Sequence, residues 1–279
     1  MQRREMIVTT LAGVAGATAL GRTVRASAAP PDTAALADAT TAGVRYFQKR
    51  AEDQLPLARA LRDAIASGDL RAAQRAYLES RPPYEEIETT AICFEDSDRD
   101  IDARPYAFEF GETDDEFRGF HKVEALLFGY EDTGAALPYA ERLVRSVETL
   151  RRELSERYRF SASKQFDGMI ALATEVAAKK ISSEEETWSD QSLLIFRHNW
   201  IGVMSQFAPF APHVSDEAVR GAVFDAHERA MALVDPHFAP GEAWGTPYSS
   251  IRMRERRAMG DASNRLRDAL LAARDNLGV

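Results

Sequence analysis

Apolar residues recur three and four positions apart along most of this chain, and no stretch carries a sustained two-residue alternation. Such spacing lays one apolar stripe along a 3.6-residue helix and provides no half-buried strand face. The spacing predicts a helix from Thr33 to Ala66, through Leu36, Val44, Phe47, Leu55, Leu57, Leu61 and Ile65. Ser67-Gly68-Asp69 breaks it, and Asp69 is placed to cap a second helix that stops at Pro82-Pro83. Tyr84 to Phe94 reads as a further helix, whereas Glu95 to Thr113 is too charged and irregular for one. Thr113-x-x-Glu116 has the form of a capping box that opens a helix with Phe117, Phe120, Val123, Glu124, Leu127 and Phe128. Helical periodicity returns at 138–158, 162–180, 184–208, 215–233 and 252–276, between breaks at Pro138, Pro209, Pro212, Pro236 and 241–247. The fold class is therefore all-α, a helical bundle, and no linker is long enough to force a second domain.

The first 28 residues do not belong to that pattern. Arg3 and Arg4 precede an apolar run from Met6 to Leu20, and Ala26-Ser27-Ala28 follows as a small-residue cleavage site. These are the parts of a cleavable export signal over residues 1–28, with the paired arginines matching the twin-arginine type. The run of about 15 residues is short for a hydrocarbon core of ~30 Å, so no permanent membrane span is expected. The mature chain, 29–279, is expected in the periplasm or another extracytoplasmic space. A single cysteine, Cys93, excludes a disulfide framework and a thiolate-rich zinc site, and reads as a small buried hydrophobe.

Charge then locates the chemistry. The chain has 35 Lys+Arg against 44 Asp+Glu, a formal −9, which excludes a nucleic-acid binder with a basic face. Residues 84–124 hold fourteen acidic side chains against Arg99, Arg104, Arg118 and Lys122, so this one segment carries most of the excess. Within it His121 and Glu124 stand three apart, which puts imidazole and carboxylate on one helix face. Inward-facing pairs of this kind serve carboxylate-rich metal sites in helix bundles. Oxygen ligands are available upstream from Glu88, Asp96, Asp98, Asp100 or Asp102. Imidazole with carboxylates suits iron, manganese or zinc better than a soft, thiophilic ion. Asp98, Asp100, Asp102 and Glu109 also fall at ligand positions of a calcium loop, but Ala103 stands where the turn wants glycine, and Pro105 lacks the N–H that pairs such loops. H-E-x-x-H, H-x-x-E-H and G-x-S-x-G are absent. His198 reads as a structural histidine or a ligand of a second site, and His213, His227 and His237 as solvated.

Gly119-Phe120-His121-Lys122-Val123-Glu124 resembles the G-x-H-x-x-E signature of imelysin-like proteins, and within them the helical domain of Efe-type periplasmic iron-uptake components. Tyr84-Glu85-Glu86-Ile87-Glu88, Asp100 to Arg104, Lys180 to Glu186, and Asn199 with Gly202 resemble further blocks of that family in the same order. The resemblance implies two packed bundle-like halves and a metal site of His121 and Glu124. Glu88 and Asp102 would be further ligands or close neighbours, and Arg104 a supporting charge partner. It implies iron, ferrous or ferric, as bound cargo, with zinc, copper or manganese as other occupants. The implied partners are a membrane iron permease and a secreted haem peroxidase. Asp190, Ser192 and Ile195 stand where the family places a histidine and two aspartates, so a second metal site near Asp190 to Asn199 stays open at this level. No counterpart of the copper-binding β-domain of longer members is expected ahead of the helices. Two other functions remain open at this level: a metal-dependent peptidase of imelysin-like ancestry, and a surface adhesion or structural bundle whose acidic segment is merely solvated.

Overall fold

The computed structural model describes residues 33–182 and 185–279. The export-signal reading of residues 1–28 lies outside them. Among the described residues there is no strand, only one antiparallel bridge between Phe238 and Gly245. No helix there is long and apolar enough to cross a membrane.

Helix α1, Thr33–Ala66, buries Val44, Phe47, Ala51, Leu55, Ala58, Leu61 and Ile65 along one stripe, and holds Pro56 within its length. Gly68, at φ 75°, supplies the left-handed residue that ends it. Asp69 then accepts the Ala72 N–H at 3.0 Å and caps α2, Leu70–Ser80. Pro82 opens the short α3, Pro82–Ile87, which tightens into a 3₁₀ segment over Glu88–Cys93.

Two departures from the sequence reading follow. Residues 95–102 form a helix, α4 (Glu95–Asp102), although their charge argued against one. Glu95, Asp96 and Asp98 all fall in its first turn, where the helix dipole favours anions, and buried Ile101 anchors it. Asp98, Asp100 and Asp102 are therefore helical rather than arranged in a calcium loop. The Thr113/Glu116 capping box does not form either. The Thr113 hydroxyl turns back onto the Phe110 carbonyl, and the Glu116 N–H goes to Asp114. The helix starts only at α5, Phe120–Glu124, after Gly119 at φ 83°. A Cβ at Gly119 would lie 2.3 Å from the Ile101 carbonyl oxygen, so this close approach to the end of α4 requires glycine.

A π-turn over Ala125–Gly129 carries α5 toward α6, Thr133–Glu153, which Asp132 caps through the Ala135 N–H at 2.8 Å. Pro138 lies inside α6 instead of ahead of it. The remaining helices are α7 (Ala162–Ala178), α8 (Ser192–Phe207), α9 (Glu217–Val234) and α10 (Met253–Leu277). Residues 185–191, expected at the start of α8, instead form turns, with Glu186 at φ 41° and Asp190 at φ 61°.

Two apolar cores result. One draws mainly on α1 to α6, around Phe47, Leu61, Tyr77, Phe120, Leu143 and Leu150. The other draws mainly on α7 to α10, around Phe166, Trp200, Phe207, Phe210, Leu266 and Leu270. Each such side chain taken fully out of water contributes ~1.5–3 kcal/mol, so either half holds an ample core. These are the two packed halves. Cys93 is buried at the edge of the first, as a small hydrophobe.

Candidate metal centre

Charged side chains from both halves meet in a buried network. Its carboxylates are Glu85, Glu88, Asp102, Glu124, Glu185 and Glu186, and its permanent cations are Arg81, Arg104 and Lys180. Six potential negative charges thus face three positive ones, with His121 able to add a fourth. Burying such an imbalance is costly unless protons or a bound cation offset it.

His121 is 1 % exposed and Glu124 is fully buried. The Nδ1 atom of His121 stands 3.2 Å from Glu124 Oε2. The other Glu124 oxygen accepts the backbone N–H groups of Trp188 (2.9 Å) and Ser189 (2.8 Å), which holds Oε2 toward the imidazole. The turn 185–191 brings in Glu186, whose carboxylate accepts the Tyr77 hydroxyl at 2.9 Å and pairs with Arg81 Nε at 2.8 Å. Donor atoms of His121, Glu124 and Glu186 lie within 4.8 Å of one another, a separation that ligand bonds of ~2 Å can span.

Asp102, at the end of α4, places Oδ1 3.6 Å from His121 Nε2, so it borders this triad. Asp102 also groups within 4.8 Å of Glu85 and Glu88 in a second triad. That second triad is already served by cations. Lys180 Nζ lies 2.7 Å from Glu88 and 2.6 Å from Glu185, and Arg81 lies 2.7 Å from both Glu85 and Asp102. Arg104 pairs with Glu185 and stands 3.5 Å from Asp102 Oδ2. Of the residues singled out from sequence, His121, Glu124 and Asp102 are thus adjacent. Glu88 belongs to the neighbouring cluster, with Arg104 bordering both Glu88 and Asp102.

Burial opposes ionisation at Asp102, His121, Glu185 and Glu186, and the neighbours decide the outcome. Against its burial, Asp102 is held well below the usual carboxylate range by Arg81, His121 and Arg104. Burial opposes the His121 charge too, but Asp102 and hydrogen bonds to Asp102 and Glu124 raise it to about 10. Burial, reinforced by the Glu124 charge, pushes Glu186 up to about 7. Glu185, despite burial, is drawn down to about 2 by Arg104 and Lys180. His121 and Glu186 are thus pushed toward their protonated forms, whereas Glu185 is held as an anion by Arg104 and Lys180.

Sequence reasoning missed Glu186 as a donor, and missed Arg81, Glu85, Lys180 and Glu185 as the frame around it. Arg81 sits before two prolines and reads as a helix end. Glu185 and Glu186 read only as part of the family-like block Lys180 to Glu186, although both are among the most buried acids of the described residues. His198, half-buried, is bonded to Glu86 at 2.8 Å and not to a second metal cluster.

A family model described as imelysin, of the peptidase M75 type, matches residues 17–268. The chain belongs to the imelysin family. Among imelysin relatives, a protein of Escherichia coli K12 named iron uptake system component EfeO is 32 % identical over 247 residues, covering 88 % of this chain. The match spans only 65 % of EfeO, so this chain corresponds to part of that longer protein. Iron uptake system component EfeM of Pseudomonas syringae pv. syringae is 30 % identical over 239 residues, covering 84 % of this chain and 82 % of EfeM.

Proposed function

We propose that this imelysin is an extracytoplasmic component of an iron-uptake system, which captures iron at His121, Glu124 and Glu186 and passes it to a membrane permease. The observation that carries this reading is the convergence of one imidazole and two carboxylates, all at most 1 % exposed, inside a network with an excess of negative charge. A di- or trivalent cation of borderline or hard character fits both the donor set and the charge. Asp102 is the nearest further ligand. Glu88 acts at a distance, because Lys180 holds both of its oxygens. The names of the EfeO and EfeM relatives select iron among the cations this chemistry accepts. The acidic segment 84–124 would raise the local cation concentration around the centre.

Metal analysis and calorimetric titration of the mature protein with ferrous and ferric iron test this. Wild-type protein should bind one tight equivalent, and His121→Ala, Glu124→Ala and Glu186→Ala should each weaken it by about tenfold or more. Unchanged affinity in all three variants sinks the assignment. Handover would be read as iron transfer to permease-containing vesicles, lost in the same variants.

A further inference from the structure

The triad has no open face toward solvent: His121 is 1 %, Glu124 0 % and Glu186 1 % exposed. An ion must therefore reach it through the protein. A cavity of about 140 Å³ opens between the 3₁₀ segment Glu88–Cys93, the first turn of α4 with Arg104 beyond its end, and the middle of α7, and it reaches the network through Glu88 and Arg104. Three carboxylates, Glu88, Asp98 and Glu175, and one guanidinium, Arg104, line it, between apolar walls that include Ile92 and Ala171.

The charged groups are ordered from outside inward. The Glu175 side chain is 29 % exposed, well above those of Glu88 and Arg104, and lies 4.0 Å from Arg104. Glu88 and Arg104, each 8 % exposed, form the inner end. Behind Arg104, at 3.5 Å, is Asp102 Oδ2, which is buried and has no hydrogen-bond partner. The other oxygen of Asp102 is the one 3.6 Å from His121. Oxygen donors thus run from the mouth to the triad, with three cations along them: Lys180 holds Glu88, Arg104 stands between Glu88 and Asp102, and Arg81 holds the Asp102 oxygen that faces His121.

We infer that this cavity is the cation entrance of the buried centre, with Glu175 as the capture carboxylate at its mouth and Arg104 as the side chain that must move for an ion to pass. The inference rests on the metal-centre reading above. Carboxylates set among apolar walls focus the field of the site and raise the local concentration of a cation before it meets the ligands. The cavity has room for an ion carrying several waters, at ~30 Å³ each. Glu175, on the solvent side of Arg104, offers the guanidinium a further partner beside Glu185 when an incoming cation takes over Asp102. Glu175 is not among the triad donors, so it acts on the rate of loading more than on its equilibrium.

Stopped-flow mixing with Fe²⁺ under anaerobic conditions, read by tryptophan fluorescence, tests the entrance, because the Trp188 backbone is bonded to Glu124. Ala171 is exposed on α7, so Ala171→Phe narrows the mouth without altering the core. It should slow association and dissociation alike, by about tenfold, with the dissociation constant kept within about twofold. Glu175→Gln should slow association by roughly threefold and flatten its salt dependence. His121→Ala, measured alongside, separates the two ideas. If His121→Ala has lost binding while both entrance variants load at the wild-type rate, the entrance is refuted and the centre stands. If His121→Ala binds as the wild type does, the centre falls and the entrance with it. Circular-dichroism melts of each variant establish that rates are compared between folded proteins.

Discussion

Arg81 is the most consequential single side chain in the network, and Arg81→Met is the perturbation that tests the electrostatic account. The guanidinium is fully buried, contacts Glu85, Asp102 and Glu186 at 2.7–2.8 Å, and lies 4.5 Å over the Phe120 ring. Methionine retains much of the packing against Phe120 but leaves three buried carboxylates facing one another. Breaking a buried pair by removing one partner costs about 3–5 kcal/mol. Three broken contacts do not triple that figure, because two of the acids have a way out. Glu85, raised well above its usual range by burial, and Glu186, near 7, can each take up a proton. Asp102 keeps Arg104 and His121 nearby. The expected loss is therefore about 3–5 kcal/mol near pH 8, a fall in Tm of roughly 6–20 °C for a domain of this size.

The sign of the pH effect follows from the same groups. A carboxyl whose folded pKa is raised favours the folded state at low pH, and that contribution is lost as pH rises through the folded pKa. Removing Arg81 raises these values further, so the variant should recover about half of its lost stability between pH 8 and pH 5, as the orphaned carboxylates protonate. Guanidinium chloride titrations followed by far-ultraviolet circular dichroism at the two pH values give both numbers. A loss below ~1 kcal/mol near pH 8, or a loss no smaller near pH 5, would falsify the claim that Arg81 neutralises this cluster.

Two further predictions concern binding and backbone. Iron binding should release protons, because His121 at about 10 and Glu186 at about 7 must both give theirs up. Affinity should climb as pH rises through neutrality, and titrations in buffers of different ionisation enthalpy should show between about one and two protons released per ion near pH 7; no release would remove His121 from the ligand set. Gly119→Ala should cost more than ~1 kcal/mol and weaken iron binding too, since relief of the clash with Ile101 shifts the helix that carries His121 and Glu124. Gly68→Ala is the control: it has a similar φ of 75° and open space around its Cβ, so it should lower Tm slightly and leave affinity unchanged. Equal effects of the two substitutions on affinity would contradict the positioning role of Gly119.

Several of these features were legible in the primary structure, for local reasons. The Val44-to-Ile65 stripe, the Asp69 cap and the face shared by His121 and Glu124 depend on neighbours within four residues, and such spacing is written directly in the chain. Where local signals competed, sequence reading failed. The charge of 95–102 suggested irregular structure, yet acids concentrated in a first turn, with Ile101 buried, favour a helix. Thr113 and Glu116 have the composition of a capping box, but the approach of Gly119 to Ile101 sets the helix start six residues later.

The amino-acid sequence by itself thus determined an all-helical chain with apolar stripes at helical spacing, and a histidine–glutamate pair within an acidic segment. Only the tertiary structure decided which carboxylates join that pair and which cations hold the rest. Tyr77 and Glu186 are 109 residues apart, Lys180 and Glu88 are 92 apart, and Arg104 and Glu185 are 81 apart. No periodicity links such positions. They meet because the two halves pack against each other, and the charged residues buried between them must find partners there, since an unpaired charge cut off from water is too costly to keep.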